Sequence, residues 1–177
     1  SLPADVSERV LVDLPAAFHC GVNEVLLTGL ALAVTGWRRR RRQDSAGVLV
    51  DVEGHGRQEE AVPGADLSGT VGWFTSMYPV RLDPGDSTGD VALKQVKEQL
   101  RALPGNGIGF GLLRYLNPAT RDVLAARPGP QIGFNYLGRV DAGQVFQGGR
   151  DPSQPVRHAL DINTLAEQDT HGRTLVA

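Results

Sequence analysis

The chain has 177 residues, 41% of them apolar and 21% charged. That is enough for one globular core and too apolar for a disordered segment. A formal net charge of -2 excludes any global attraction to nucleic acid or an anionic membrane, and the single cysteine, Cys20, excludes an internal disulfide.

Cys and His residues nowhere take zinc spacing, so no metal is expected, and a reducing compartment, the cytoplasm, is the natural location. No run approaches the roughly 18 apolar residues that a bilayer span needs, and the N-terminus lacks the basic and apolar segments of a signal peptide. No membrane partner is expected. Ser1-Leu2-Pro3 at the start and the still apolar Val176-Ala177 at the end read as cuts within a larger unit.

In chain order, Val6, Val10 and Leu14 share one face of a short helix over Asp5 to Leu14, with Pro15 expected to close it. A longer helix follows from Val22 to Arg38, its stripe of Val22, Val25, Leu26, Leu30, Ala33 and Trp37 widened by Leu27 and Val34. Arg38 to Arg42 suit the negative end of that helix and read as a solvated charge run.

Gly47 to Glu53 is short and β-branched, a strand that delivers Glu53 at its C-terminal end. After a polar loop over Gly54 to Gly69, a second strand is predicted from Val71 to Leu82. Asp86, Ser87 and Thr88 offer capping oxygens to a helix over Asp90 to Leu103. The glycine-rich Pro104 to Gly111 lacks the Lys-Ser/Thr and preceding strand of a phosphate loop. Leu112 to Leu116 reads as a helical turn, and Asn117-Pro118 as the cap and first-turn proline of a helix through Ala126. Strands over Gln131 to Leu137, Ala159 to Leu165 and Arg173 to Val176 complete the chain. The alternation predicts an α/β fold, a two-layer sandwich with a mixed sheet.

The densest chemistry lies in Glu53-Gly54-His55-Gly56-Arg57, a carboxylate, an imidazole and a guanidinium separated by glycines that permit sharp turns. A carboxylate at the end of a buried strand can have its pKa raised toward working pH, as a general base for an activated C–H requires. The competing reading pairs Glu53 with Arg57 as a structural ion pair and has His55 cap a turn. On the second strand, alternation sets Trp73 and Met77 on one face and Ser76 and Tyr78 on the other, as channel lining or as core. Asn135 and Tyr136 are adjacent, so they point to opposite faces unless the strand ends or bulges there. His19, His158 and His171 have no nucleophile or ligand pattern and read as structural or exposed.

Taken in order, Glu53 to Arg57, Thr70-Val71-Gly72-Trp73-Phe74-Thr75, Tyr78-Pro79, Pro104 to Gly111 with Leu112-Leu113-Arg114-Tyr115, and Phe134-Asn135-Tyr136-Leu137-Gly138 resemble the epimerization domains of nonribosomal peptide synthetases. The helix from Val22 resembles the opening helix of the second half in the condensation-domain superfamily, so residues 1–177 are identified as a single C-terminal subdomain. Condensation domains proper typically lack the Glu53 to Arg57 and Phe134 to Gly138 wording.

The resemblance implies a chloramphenicol-acetyltransferase-like half-domain whose missing partner, the N-terminal half, carries an HHxxxDG motif. It implies inversion, L to D, at the α-carbon of an aminoacyl or peptidyl thioester in nonribosomal peptide synthesis. The thioester arrives on the phosphopantetheine arm of a peptidyl carrier protein, with neighbouring synthetase domains as further partners and no directly bound cofactor. Glu53 is then an acid/base, Tyr136 or Asn135 a donor to the enolate oxygen, and His55, Arg57, Trp73, Ser76 and Tyr78 substrate-binding candidates. This fragment alone is expected to be inactive. Two positions depart from the family's usual wording: Gly69 replaces an arginine before Thr70, and Gln58 replaces a glutamate after Arg57. A noncatalytic carrier-docking or scaffolding module and a condensation-type acyltransferase half are the alternative readings.

Overall fold

The computed structural model describes residues 1–43, 47–59, 63–140, 153–168 and 174–177. Helices α1 (Ala4–Glu8) and α2 (Leu14–Phe18) are joined without a break by a π-type turn at Arg9–Asp13. Pro15 therefore does not end this helix. The widened turn lies just before the residue that has no N–H to contribute to the ladder, and the chain instead stops at His19, in left-handed conformation.

Helix α3 (Val22–Arg40) begins with the Glu24 carboxylate accepting the Gly21 N–H at 2.8 Å. Its buried Thr28 and Thr35 hydroxyls bond carbonyls of their own helix, so neither costs an unpaired polar group. At the far end Arg38 bonds the Gly47 carbonyl, Arg39 pairs with Asp86 at 2.7 Å, and Arg41 stacks on Trp37. The predicted charge run thus also fastens the helix to two loops.

Strands β1 (Val48–Gly54) and β2 (Ser76–Leu82) pair antiparallel along their whole length, from Val48 opposite Leu82 to Gly54 opposite Ser76. The predicted second strand is shortened at its start. Val71 to Thr75 are loop, because Phe74 turns its carbonyl against Gly56 instead of continuing the ladder. Gly56 has φ +65°, and a Cβ there would run into the Phe74 carbonyl.

Helix α4 (Gly89–Arg101) starts at Thr88, without the predicted side-chain cap. A 3₁₀ turn (Pro104–Gly107), the short α5 (Gly109–Gly111) and a π-type turn (Leu112–Leu116) lead to α6 (Pro118–Ala125), where the Asn117 side chain accepts the Ala119 N–H at 2.9 Å as predicted. Strands β3 (Ile132–Val140), β4 (Leu160–Gln168) and β5 (Thr174–Val176) complete a five-stranded sheet of order β2-β1-β3-β4-β5. The pairs β1/β3 and β3/β4 are parallel and β4/β5 antiparallel, the mixed sheet expected. His171 and Arg173, like part of the Gly54 to Gly69 loop, lie outside the described residues.

One sheet face packs on the helices. Val48, Val50 and Val52 of β1, Val80 and Leu82 of β2 and Phe134 of β3 close over Leu27 and Ala31 of α3 and Val96 of α4. A second cluster joins Leu11 to Ala166 and Val176. Strand alternation then sends Asp51, Glu53, Met77, Gly133, Asn135, Asp161 and Asn163 to the opposite face. Among the described residues no single helix is long and apolar enough to cross a membrane.

Candidate active site

Glu53 is the penultimate residue of β1, directly opposite Met77. It lines an open cleft of about 460 Å³ together with Asn23 and Glu24 of α3, His55, Arg57, Tyr78 and Arg101. Burial pushes its carboxyl above the usual carboxylate range. Among the described residues it takes part in no ion pair, so the expected alternative of a Glu53–Arg57 bridge is not what these residues form.

Arg57 works on the loop instead. Its guanidinium donates to the Leu67 carbonyl at 2.5 Å and the Thr70 carbonyl at 2.8 Å while stacking on the Phe74 ring. The fork shape of arginine suits two carbonyls at once. His55 Nδ1 accepts the Arg57 N–H at 3.0 Å, the turn-capping role that was the alternative for it. Glu59 accepts the Leu67 N–H at 2.6 Å and so holds the far arm of the same loop alongside Arg57.

The other candidates divide between two faces. Asn135 lies on the sheet face of Glu53, while Tyr136 packs on the helix side against the core. The β3 ladder does bulge, but between Tyr136 and Arg139, beyond both side chains, so they stay opposed. Burial raises the phenols of Tyr136 and Tyr78, the latter also through the nearby Glu24 charge, and both keep an O–H to donate. The Ser76 hydroxyl is buried beside Gly54 without a hydrogen-bond partner among the described residues. Trp73 is 90% exposed on the loop and lines neither cavity that borders Glu53.

A group set aside at the sequence level comes together beside Glu53. The His158 ring is buried, with Nε2 2.9 Å from Asp51 Oδ2 and Nδ1 2.6 Å from Asp161 Oδ1. Arg157 reaches the same Asp51 oxygen at 3.6 Å. A small cavity of about 30 Å³ is bordered by Glu53, Asn135, His158 and Asp161 together. Asp51 was legible as the same-face neighbour of Glu53, and His158 and Asp161 are three apart. Nothing local links them to Asp51, which lies 107 residues before His158. Among the described residues no cluster of three or more His, Cys, Asp or Glu side chains is arranged to hold a metal ion.

The mixed sheet covered on one face by helices is the chloramphenicol-acetyltransferase-like fold of condensation-type domains. The chain belongs to the condensation domain family, whose model matches residues 5–169. It is 47% identical over 148 residues, 81% of its length, to a linear gramicidin synthase of Brevibacillus parabrevis. It is 50% identical over 136 residues, 77% of its length, to chondramide synthase cmdD of Chondromyces crocatus. The chain spans 3% of each of these relatives. Among solved structures it resembles the epimerization domain from the third module of tyrocidine synthetase B, with a TM-score of 0.75 and 34% identity, covering 94% of this chain and 38% of that one.

Proposed function

We propose that this chain is the C-terminal half of an epimerization domain in a nonribosomal peptide synthetase, with Glu53 as one of its two acid/base groups. The observation that carries the reading is Glu53 itself: desolvated, free of any ion pair among the described residues, and facing the cleft from the end of β1. Its setting in the Glu53 to Arg57 wording and the 34% identity to an epimerization domain support inversion over amide formation.

In this reading a carrier protein brings an aminoacyl or peptidyl thioester on its phosphopantetheine arm into the cleft, in the cytoplasm. The Glu53 carboxylate takes the α-proton, the C–H electron pair passes into the enolate, and a proton returns to the opposite face from an acid on the N-terminal half. A desolvated carboxylate suits this step because its basicity is closer to working pH than that of a solvated one. A donor placed at the enolate oxygen lowers the barrier by about 3 kcal/mol, and Asn135, on the face of Glu53, is one candidate. Tyr136 faces the helix side, from which α3 also lines the cleft, and is the other candidate.

The test is α-proton exchange in deuterium oxide on a carrier-bound aminoacyl thioester, using the full domain, its Glu53→Gln variant and the 177-residue chain alone. We expect exchange in the first and none in the other two. A folded full domain that binds carrier without exchange would favour a docking module, and amide formation would favour a condensation-type acyltransferase.

A further inference from the structure

We propose that Asp51, His158 and Asp161 form a clamp that positions Glu53, with His158 as the positioning residue; the inference rests on the reading of Glu53 as the base. Asp51, Gly133 and Asp161 lie in register across the three parallel strands β1, β3 and β4. The His158 ring sits over the middle strand at Gly133 and reaches a carboxylate on either side. Only a glycine leaves that space, since a Cβ at residue 133 would lie 2.5 Å from His158 Nδ1 and 2.7 Å from Asp161 Oδ1. The outer strands are thus joined directly, over the top of the strand between them.

This fastening lies where the backbone ladder runs out. Pairing of β1 with β3 ends at Val52 opposite Phe134, so Glu53 is the first residue of β1 beyond it. Asp51 is two residues earlier on the same face, and the clamp and Glu53 border the same small cavity. The side chains of His158 and Asp51 are only 3% and 5% exposed. Buried charged groups of this kind are often no more stabilising than apolar replacements, so their return lies in fixing geometry. A ring that carries a proton on both nitrogens donates to both carboxylates at once, whereas a neutral ring donates to only one of them. Misplacing a catalytic group by about 1 Å costs on the order of a hundredfold in rate, so the clamp acts on turnover and leaves carrier binding alone.

The experiment measures kcat and KM for α-proton exchange in the full domain, with circular dichroism to verify folding. His158→Asn and Gly133→Ala are each expected to lower kcat about ten- to a hundredfold with KM unchanged. A cycle with Glu53→Asp, which withdraws the carboxylate by one methylene, separates positioning from general structure. If the clamp acts through Glu53, the loss from His158→Asn shrinks in the Glu53→Asp background; if the two losses simply multiply, the proposal is overturned. Should His158→Asn not fold, Asp161→Asn replaces it, because that side chain is 37% exposed. A folded Asp161→Asn with full kcat overturns the clamp while inactive Glu53→Gln leaves the base reading intact. Full exchange in Glu53→Gln overturns both.

Discussion

As the proposed base, Glu53 would serve reactivity at a cost to stability. Burial raises its carboxyl, so the folded state holds that proton more tightly than the unfolded chain does. Stability therefore falls as pH rises from the unfolded value through the folded one. Glu53→Gln is expected to raise the melting temperature slightly above that window and to change nothing below it, as thermal scans across pH will show. In the proposed reaction the base must be ionised, so turnover runs the other way and the acid limb of kcat/KM is expected above the range of a solvated glutamate. Gly56 is the other exacting position: with positive φ and the Phe74 carbonyl where a Cβ would be, Gly56→Ala is expected to cost about 2 kcal/mol or more by denaturant titration. The place of Glu53 at a strand end, its raised carboxyl and the sharp turn at the glycines after it were legible from residue type and strand position. The clamp was not, because its members meet only through the order of β1, β3 and β4.

Among the elements, α3 and α4 were readable because an apolar stripe at helical spacing is local information. The buried face of α3 is centred on Val25, Leu27 and Ala31, rotated from the predicted stripe so that Ala33 and Trp37 are exposed, and Leu27→Ala is expected to cost about 2–5 kcal/mol. The early helix and the second strand were misjudged for a common reason. Pro15 and the β-branched and aromatic run from Val71 each carry a local preference that neighbouring structure overrides, through a widened turn in one case and a carbonyl turned onto Gly56 in the other. The loop that results depends on Arg57. Removing its guanidinium in Arg57→Ala is expected to speed hydrogen exchange across residues 63–75, and Arg57→Lys should not restore protection, because an ammonium lacks the fork that meets Leu67 and Thr70 together.

Over the whole molecule, apolar side chains are left standing in water. Val71 is 99% exposed, Trp73 90% and Leu116 73%, on the loop after Arg57 and on the turn before α6. Large apolar side chains this exposed can be covered by a partner. In the proposed full domain the N-terminal half is that partner, so the 177-residue chain alone is expected to bind a hydrophobic dye such as anilinonaphthalene sulfonate more strongly than the full domain, read by fluorescence. The fold class was legible from the alternation of elements. The strand order was not, since it depends on pairings such as β1 with β3 between residues some eighty apart in sequence.

The two chain ends share one corner, where the Leu2 N–H donates to the Val176 carbonyl at 2.8 Å. Residues 2 and 176 are therefore close enough in space to be bridged by a short linker. Joining the ends with a few glycines would close the chain into a ring with little disturbance of the native state. A ring has fewer unfolded conformations than an open chain, so the cyclised protein should melt at a higher temperature than its linear form.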